Sequence, residues 1–411
     1  MKRGETMALV GAGLPAISGI RRGQARSYIL VLATLFQLAG CSGMGEKVST
    51  GFGLWGGKEP GEKPAALVEF KPAAELKSSW QAHVGGAGDT VLFPAVVSDS
   101  IYAVGLDGKI ARFNAESGAT QWSIDSGRKI SGGIGADSGL VAVGTAKGEV
   151  LAFDAKGQPL WQARLSSEIL SPPQVANEIV VVRTGDGRIF GLDARDGKRK
   201  WVYQRAMPTL ALRSYAGVVV THGAVFAGFA GGKLVALDLA TGTLGWEATV
   251  ALPRGATELE RVTDVSSLPV VDDRMICATA YQGRTACFNI VSGNLLWARD
   301  VSSSAGLAMD DRSVYVSDTR GAIHALDKYS GASLWKQDKL LARQTTAPLA
   351  LGRYIAVADV QGYVHLLARE DGSFAARIAT DGSQIGAPPV ALSRGFLVQT
   401  RNGGLYALTV Q

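Results

Sequence analysis

The sequence is poor in the residues that most often carry catalysis or bind metal ions. Its 411 residues include only three cysteines and four histidines, and the cysteines form no CxxC motif. No P-loop, GxSxG or HExxH pattern is present. These absences argue against P-loop nucleotide hydrolysis, serine hydrolase chemistry, zinc protease chemistry and a structural zinc site.

Long runs of like charge are absent as well. Charged residues make up 19% of the chain and apolar residues 46%, a balance that excludes a disordered chain. The net charge of +6 depends on the N-terminus, since residues 1–40 contain five Lys or Arg and one Glu, and the remainder carries +2. No basic cluster of the kind that binds nucleic acid is visible.

Glycine and tryptophan, in contrast, recur in a regular pattern. The 52 glycines are nearly twice the usual share of about 7%. Seven tryptophans lie 38 to 51 residues apart, namely Trp80, Trp122, Trp161, Trp201, Trp246, Trp297 and Trp335. From Trp122 onwards, each follows a glycine, an apolar run that ends in Asp or Asn, and a second glycine. This periodicity indicates one repeated structural unit.

Each unit has the pattern of four short strands. In the unit that ends near Trp201, residues 174–176, 178–183 and 188–192 are β-rich and are separated by turn residues. Asp193 and Gly197 then flank a tight turn before the tryptophan strand. Four strands in about 40–45 residues are typical of a β-propeller blade.

The count of units predicts a closed ring. The 332 residues from Trp80 to Gln411 divide into eight units of about 41.5 residues. The last unit, after Gly403, lacks its tryptophan strand, and the strand around Trp80 lacks a preceding unit. We therefore predict an all-β, eight-bladed propeller of four antiparallel strands per blade over residues 76–411, its last blade closed by the N-terminal strand. The alternative, an open solenoid, would need polar end caps instead. The tryptophans are expected to pack between adjacent blades.

The N-terminal region is expected to lie outside this domain. Residues 28–38 form an apolar stretch after three arginines, and Leu38-Ala39-Gly40-Cys41 resembles a lipobox. Eleven residues are too few to cross a bilayer. We predict a lipoprotein signal peptide at 1–40, lipidation of Cys41 and a flexible tether over 41–75, which is rich in Gly, Lys, Glu and Pro.

The repeat of Ala/Leu-Leu-Asp, glycine and tryptophan resembles the quinoprotein-type propeller repeat over residues 76–411. One branch of that repeat comprises pyrroloquinoline-quinone dehydrogenases, which carry a vicinal cysteine pair and a calcium site of several oxygen ligands. Here Cys277 and Cys287 are ten residues apart, and no acidic cluster occurs outside the repeat turns. The lipobox, the tether and the bare eight-blade domain resemble the other branch, the BamB family of outer-membrane assembly lipoproteins.

This resemblance implies a non-enzymatic scaffold of the β-barrel assembly machinery. Such a protein would lie at the periplasmic face of the outer membrane and dock on the periplasmic domains of BamA. It would help outer-membrane proteins to fold and insert, with nascent outer-membrane proteins as further partners, and would need no cofactor besides the covalent lipid on Cys41. A quinoprotein dehydrogenase and a polysaccharide-binding envelope propeller are the alternatives.

Two segments, residues 207–213 and 258–264, resemble the partner-binding loops of that family. The resemblance assigns partner binding to Leu210, Leu212, Arg213 and Asp264. Arg213 and Asp264 would pair with each other or with the partner. A second acid of the family is replaced by Ser266. Alternatively, Leu210 and Leu212 form the buried face of an inner strand.

Two further pairs of residues call for an interpretation. His324 and His365 occupy the same position in adjacent units, but other units place apolar residues there, so a metal site is not expected. Cys277 and Cys287 flank a hairpin turn and would lie opposite each other across a three-residue loop. The oxidising periplasm allows a disulfide. The short Cα separation of opposed strand residues instead favours two buried thiols.

Overall fold

The computed structural model describes residues 63–411, and every regular element among them is a β-strand. The predicted signal peptide and Cys41 lie outside these residues. Within the described part of the chain, no helix has the length and apolar character that a membrane crossing requires.

The 32 strands form eight four-stranded antiparallel sheets, numbered here as blades 1 to 8. The first strand is β1 (Leu76–His83). Blades 1 to 4 then comprise β2 (Ala95–Val97), β3 (Ser100–Val104), β4 (Lys109–Asn114) and β5 (Thr120–Asp125); β6 (Ile130–Ala136), β7 (Leu140–Thr145), β8 (Glu149–Asp154) and β9 (Pro159–Arg164); β10 (Gln174–Ala176), β11 (Ile179–Arg183), β12 (Arg188–Asp193) and β13 (Arg199–Gln204); and β14 (Val218–Thr221), β15 (Ala224–Phe229), β16 (Lys233–Asp238) and β17 (Leu244–Thr249).

The second half of the chain continues the same order. Blades 5 to 8 comprise β18 (Val270–Val271), β19 (Met275–Thr279), β20 (Thr285–Asn289) and β21 (Leu295–Arg299); β22 (Gly306–Met309), β23 (Ser313–Ser317), β24 (Ile323–Asp327) and β25 (Ser333–Gln337); β26 (Leu349–Leu351), β27 (Tyr354–Ala358), β28 (Tyr363–Ala368) and β29 (Phe374–Ala379); and β30 (Val390–Ala391), β31 (Phe396–Gln399) and β32 (Gly404–Val410), joined by β1.

The N-terminal strand closes the ring, as the sequence predicts. Strand β1 pairs with β32 from Leu76 opposite Val410 to His83 opposite Gly404, and it forms the outer strand of blade 8. The two ends of the domain are therefore held together by a full ladder of backbone hydrogen bonds. Closure also removes two sheet edges that would otherwise be exposed.

Burial follows the position of each strand within its blade. The middle strands β3, β7 and β19 are buried along their whole length, because they are covered on both faces by adjacent blades. The outer strands β5 and β9 instead alternate exposed and partly buried residues. The core consequently lies between blades, where the inward faces of neighbouring sheets meet.

The recurring tryptophans pack between blades, as expected. Each indole N–H donates to a backbone carbonyl in the outer turn of the next blade, at 2.7–3.1 Å between nitrogen and oxygen. The pairs are Trp80–Ala115, Trp122–Ala155, Trp161–Ala194, Trp201–Leu239, Trp246–Ile290, Trp297–Lys328 and Trp335–Arg369. The indole also lies flat against a turn glycine. At Gly242, for example, an added Cβ would come within 2.6 Å of Trp201.

Residues 65–75 are not a flexible tether as predicted, because they lie against the outer side of blade 7. We call them the strap. The backbone N–H groups of Ala73 and Ala74 donate to the Ala375 carbonyl in outer strand β29, at 2.9 and 3.2 Å. The ring of Phe70 stacks on Phe374 of the same strand, with centroids 5.4 Å apart.

A buried charged cluster fixes the beginning of the strap. The guanidinium of Arg343 donates to Asp359 through Nε, to Gln361 through Nη2 and to the Ala65 carbonyl through Nη1, each at 2.7 Å. His365 bonds the same Asp359 carboxylate at 2.9 Å. Arg343, Asp359 and His365 are all fully buried. Sequence reasoning missed this attachment because its partners are more than 270 residues apart.

The two cysteines of blade 5 lie directly opposite each other, as the three-residue turn predicts. Cys277 on β19 pairs with Cys287 on β20, and their Cα atoms are 4.0 Å apart. The structure joins their sulfurs in a disulfide. This pairing differs from the two buried thiols that the short Cα separation favours.

Candidate functional site

Two long loops that enter neighbouring blades form the candidate site. The first, residues 205–217, connects blade 3 to blade 4, and the second, residues 250–269, connects blade 4 to blade 5. Both contain a segment singled out by the family resemblance. Long loops on a rigid ring are suited to binding, because the ring holds them in fixed positions.

Asp264 joins the two loops from a buried position. Its Oδ2 accepts the backbone N–H of Leu212 at 2.6 Å, and its Oδ1 accepts the N–H of Gly231 at 3.1 Å. The Asp264 backbone also bridges to Ala230 and Tyr281. Since its side chain is only 4% exposed, Asp264 positions the first loop and does not itself offer a contact surface.

Leu210 and Leu212 project from the loop into solvent. Their exposed fractions are 46% and 37%, and residues 205–217 contain no strand. The alternative that these leucines form the buried face of an inner strand is therefore wrong. Leucines exposed on an ordered loop are unfavourable in water, and such positions often mark interaction sites.

Arg213 does not pair with Asp264. Its guanidinium forms a bidentate ion pair with Glu168 in the segment that connects blades 2 and 3, with Nη2 2.9 Å and Nε 3.2 Å from the carboxylate oxygens. Glu168 holds the charged end of Arg213 beside the leucines while more than half of the arginine side chain stays exposed. An apolar surface of a partner with a carboxylate at its edge would complement the two leucines and the arginine.

A second arginine lies beneath the loop. Burial lowers the pKa of Arg183 to about 10, an effect that the Asp264 carboxylate opposes. Arg183 donates to the Ala216 carbonyl at 3.1 Å and lies over the ring of Phe229. It therefore anchors the end of the first loop, next to the start of blade 4.

A cavity of about 660 Å³ opens at the centre of the ring, and Leu212 and Arg213 form part of its wall. Sequence reasoning missed it, because its lining comes from loops of many blades and follows no motif. Ser267 and Thr345 lie in the lining, and their buried hydroxyl oxygens have no hydrogen-bond partner in the described residues. The same holds for Ser266, which replaces the second acid of the family motif.

The two histidines in equivalent strand positions bond carboxylates of their own blades. His324 contacts Asp318 and His365 contacts Asp359, both at 2.9 Å. In residues 63–411 no group of three or more His, Cys, Asp or Glu side chains could hold a metal ion.

The ring of eight four-stranded blades with interlocking tryptophans defines a β-propeller of the quinoprotein-repeat class. The family model described as outer membrane protein assembly factor BamB matches residues 106–337. The protein named outer membrane protein assembly factor BamB in Nitrosomonas eutropha is 44% identical over 390 residues, which cover 93% of this chain and 95% of that protein. The chain belongs to the BamB family of outer membrane protein assembly factors.

Solved structures agree with this assignment. The crystal structure of BamB from Moraxella catarrhalis is 28% identical, covers 82% of this chain and 100% of its own, and superposes with a TM-score of 0.76. A quinohemoprotein alcohol dehydrogenase from Comamonas testosteroni gives a TM-score of 0.66 at 12% identity, over 81% of this chain and 76% of its own. The second likeness concerns the fold alone.

Proposed function

We propose that this protein is a non-enzymatic scaffold of the outer-membrane β-barrel assembly machinery and docks on the periplasmic domains of BamA. A lipid on Cys41 would hold it at the periplasmic face of the outer membrane. The observation that carries the docking proposal is the first loop, where Leu210 and Leu212 are exposed yet the backbone is fixed by Asp264.

The loop has the features of a binding hot spot. Two apolar side chains lie beside Arg213, whose conformation is set in advance by Glu168. Little side-chain entropy is then lost on binding, because the guanidinium is already oriented. Burying the leucines against BamA would remove apolar surface from water at about 25 cal/mol for each Å². The lipid would raise the effective concentration of the propeller near the membrane.

The test measures the affinity of the purified protein for the isolated periplasmic domains of BamA. Leu210→Ala, Leu212→Ala and Arg213→Ala should each weaken binding about 30-fold, which corresponds to about 2 kcal/mol. Their thermal midpoints should stay near the parent's, because the side chains are exposed. Leu160→Ala on the rim of blade 2 is the matched control, since Leu160 is an equally exposed leucine outside the site.

The result can also separate contact from positioning. Asp264→Ala should weaken binding through the loop, since two buried N–H groups lose their acceptor, and hydrogen exchange of the Leu212 amide should accelerate. Unchanged affinity in all three loop variants would remove residues 210–213 from the interface.

A further inference from the structure

The N-terminal segment contains an apolar motif that neither the repeat nor the predicted lipidation requires. Residues 48–57 carry no charge and include Phe52, Leu54 and Trp55, in a stretch otherwise rich in Gly, Lys, Glu and Pro. Seven of the eight tryptophans belong to the repeat, and Trp55 is the eighth. Because aromatic side chains bury roughly 150–250 Å² each, an apolar surface that covers these residues would gain stability from the contact.

The strap carries the chain from the outside of blade 7 toward the axis of the ring. Around Ala74 it contacts Ala375 in the outer strand β29. At its beginning, Arg343 joins the Ala65 carbonyl to Asp359 in the turn between the middle strands β27 and β28. Followed from Ala74 back to Ala65, the strap therefore runs inward.

The beginning of the strap lies beside the wall of the central cavity. The N–H of Ala65 donates to the Leu341 carbonyl at 2.9 Å. Ala342 and Gln344, in the same loop, form part of the cavity wall. The turn of blade 6 that corresponds to the Asp359 turn, residues 318–321, also lines the cavity. The chain that precedes Ala65 consequently starts at the edge of this cavity.

Residues 52–55 can reach the wall while the strap stays in place. Ten residue steps separate Trp55 from Ala65, and an extended chain spans up to about 33–36 Å over that length. A folded-back path is also long enough, since Ala65 itself contacts the loop that forms the wall. Attachment within the same chain gives the motif a high effective concentration at the cavity, so a weak intrinsic affinity suffices for occupancy.

The cavity wall suits large, uncharged side chains. Its volume of about 660 Å³ lies within the range of about 300–1,000 Å³ for cavities that bury drug-sized ligands, which are as large as several side chains. The unpaired hydroxyls of Ser267 and Thr345 belong to the same wall, and either could accept an indole N–H after a rotation about χ1. The apolar part of the lining includes Phe93, Leu212, Tyr215, Leu268, Pro348 and Pro388.

The charged groups of the wall do not demand a charged ligand. Arg213 is paired with Glu168, and Asp318 is bonded to His324. Arg320 is exposed, so water solvates its guanidinium. An uncharged apolar motif therefore complements this wall better than a charged segment would.

We propose that Phe52, Leu54 and Trp55 of this chain occupy the central cavity of its own propeller. The proposal does not depend on BamA docking, although Leu212 belongs both to the cavity wall and to the docking loop. Contact with a bilayer, where aromatic side chains often lie at the interface, or with a second copy of the chain is the alternative.

The first test maps the contacts of position 55 in the purified chain of residues 42–411, which keeps the motif and the closed ring. Trp55→benzoylphenylalanine introduces a photo-reactive aromatic side chain, and mass spectrometry identifies its partners after irradiation. The main products should be crosslinks within one chain to the cavity wall, at residues 91–93, 266–270 or 345–348. Met44→benzoylphenylalanine is the matched control, because position 44 lies outside the motif, and it should give few wall crosslinks.

Vesicles of phosphatidylethanolamine and phosphatidylglycerol test the alternatives in the same reaction. The wall crosslinks of position 55 should persist when the vesicles are added. Their replacement by lipid adducts would make the motif a membrane contact, and crosslinks between two chains would make it a contact between copies. Either result overturns the proposal.

A second test measures access to the cavity with N-phenyl-1-naphthylamine, an uncharged probe whose fluorescence rises in apolar surroundings. The variant Phe52→Ser/Leu54→Ser/Trp55→Ser should bind the probe about tenfold more tightly than the parent, because a cavity filled by its own segment about nine-tenths of the time has its apparent affinity lowered by that factor. The matched control keeps the motif and should bind the probe like the parent; it is Glu46→Ser/Lys47→Ser/Lys58→Ser.

A synthetic peptide of residues 49–57 completes this test. It should displace the probe from the variant that lacks the three apolar side chains, whereas the same peptide with serine at those three positions should not. Equal probe affinity in the parent and the apolar variant, or no displacement by the peptide, would show that the motif does not occupy the cavity.

Discussion

At seven blade junctions a tryptophan packs on the outer turn of the next blade, whereas at the junction of blades 7 and 8 Ala376 occupies the tryptophan position. The residue opposite the tryptophan position, on the neighbouring strand, changes in size in the opposite direction. Small residues lie opposite five of the tryptophans on the neighbouring strand, including Gly191 and Ala236, but Leu366 lies opposite Ala376. The summed side-chain volume of the two opposed residues is thus partly conserved, but in blade 7 the larger residue is on the inner strand β28 and not on the outer strand β29.

The exception has a physical cause in how the ring closes. A tryptophan needs the carbonyl and the glycine of the next outer turn. In residues 63–411 no such turn joins the two outer strands of blade 8, since its outermost strand β1 comes from the beginning of the domain and its neighbour β32 from the end. A tryptophan in blade 7 would have no acceptor for its N–H. The end of the strap packs at this junction instead, since Ala74 lies against the apolar core shared by blades 7 and 8.

The largest effect is expected at a tryptophan junction. Trp201→Ala should lower the free energy of unfolding by about 3–5 kcal/mol, because the indole is buried between blades 3 and 4 and bonds the Leu239 carbonyl. Urea denaturation measures the change. Val202→Ala is the matched control, because Val202 is the next residue along the strand and its side chain is exposed. This substitution should lower the free energy of unfolding much less. Comparable losses in the two variants would contradict an interlocking role for the tryptophan.

An intermediate effect is expected when blade 7 is given the residue pair of the other blades. Leu366→Ala/Ala376→Trp should lower the free energy of unfolding by about 1–3 kcal/mol, because the new indole meets the strap and finds no turn carbonyl. Denaturant unfolding of the double variant and of Leu366→Ala alone separates this effect from the cavity left by Leu366. If the double variant is more stable than the parent, blade 7 lacks its tryptophan for another reason.

The sequence predicted the ring, including the missing tryptophan near Ala376, but not the strap. Blade number, strand order and closure follow from the spacing of tryptophans and glycines, because a local repeat determines them. The strap could not be predicted, since residues 65–75 show no periodicity and their contacts with Arg343 and Ala375 depend on where the ring brings the two ends of the chain.

The candidate site, too, could be predicted from the sequence only in part. The segments with Leu210 and Asp264 could be found from their resemblance to known loops. Their relation could not, because pairing of Arg213 with Glu168 and of Asp264 with backbone N–H groups depends on the packing of three blades.

The smallest effect concerns the pH dependence of the other face of blade 7, where His365 lies on the side of the sheet that packs on blade 6. Burial lowers the pKa of His365; Asp359 opposes this shift, and the charges of Arg377 and Arg343 add to it. The Nε–H of Arg377 donates to Nδ1 of His365, so the neutral ring carries its proton on Nε2 and donates it to Asp359. The ring of Tyr363 also faces His365, with the two ring centroids 6.3 Å apart.

The sign of the effect follows from these contacts. In the unfolded chain a histidine takes up a proton near pH ~6.5, whereas folded His365 does so only at lower pH. Stability should therefore fall as the pH drops below ~6.5, with a contribution from His365 of at most about 1.4 kcal/mol for each pH unit. Burial alone would raise the pKa of Asp359, but its bonds to His365 and Arg343 outweigh burial and lower it. Its contribution is consequently lost only in more acidic solution, below the unfolded value of ~3.9.

His365→Gln should remove this part of the pH dependence between pH 7.5 and 5, because glutamine can still donate to Asp359 but does not titrate. The measurement is the free energy of unfolding in urea at several pH values. Phe374→Leu is the matched control, since Phe374 packs against His365 and its change should lower stability equally at each pH. A His365→Gln profile parallel to the parent's would mean that the pH dependence of stability arises from titratable groups other than His365.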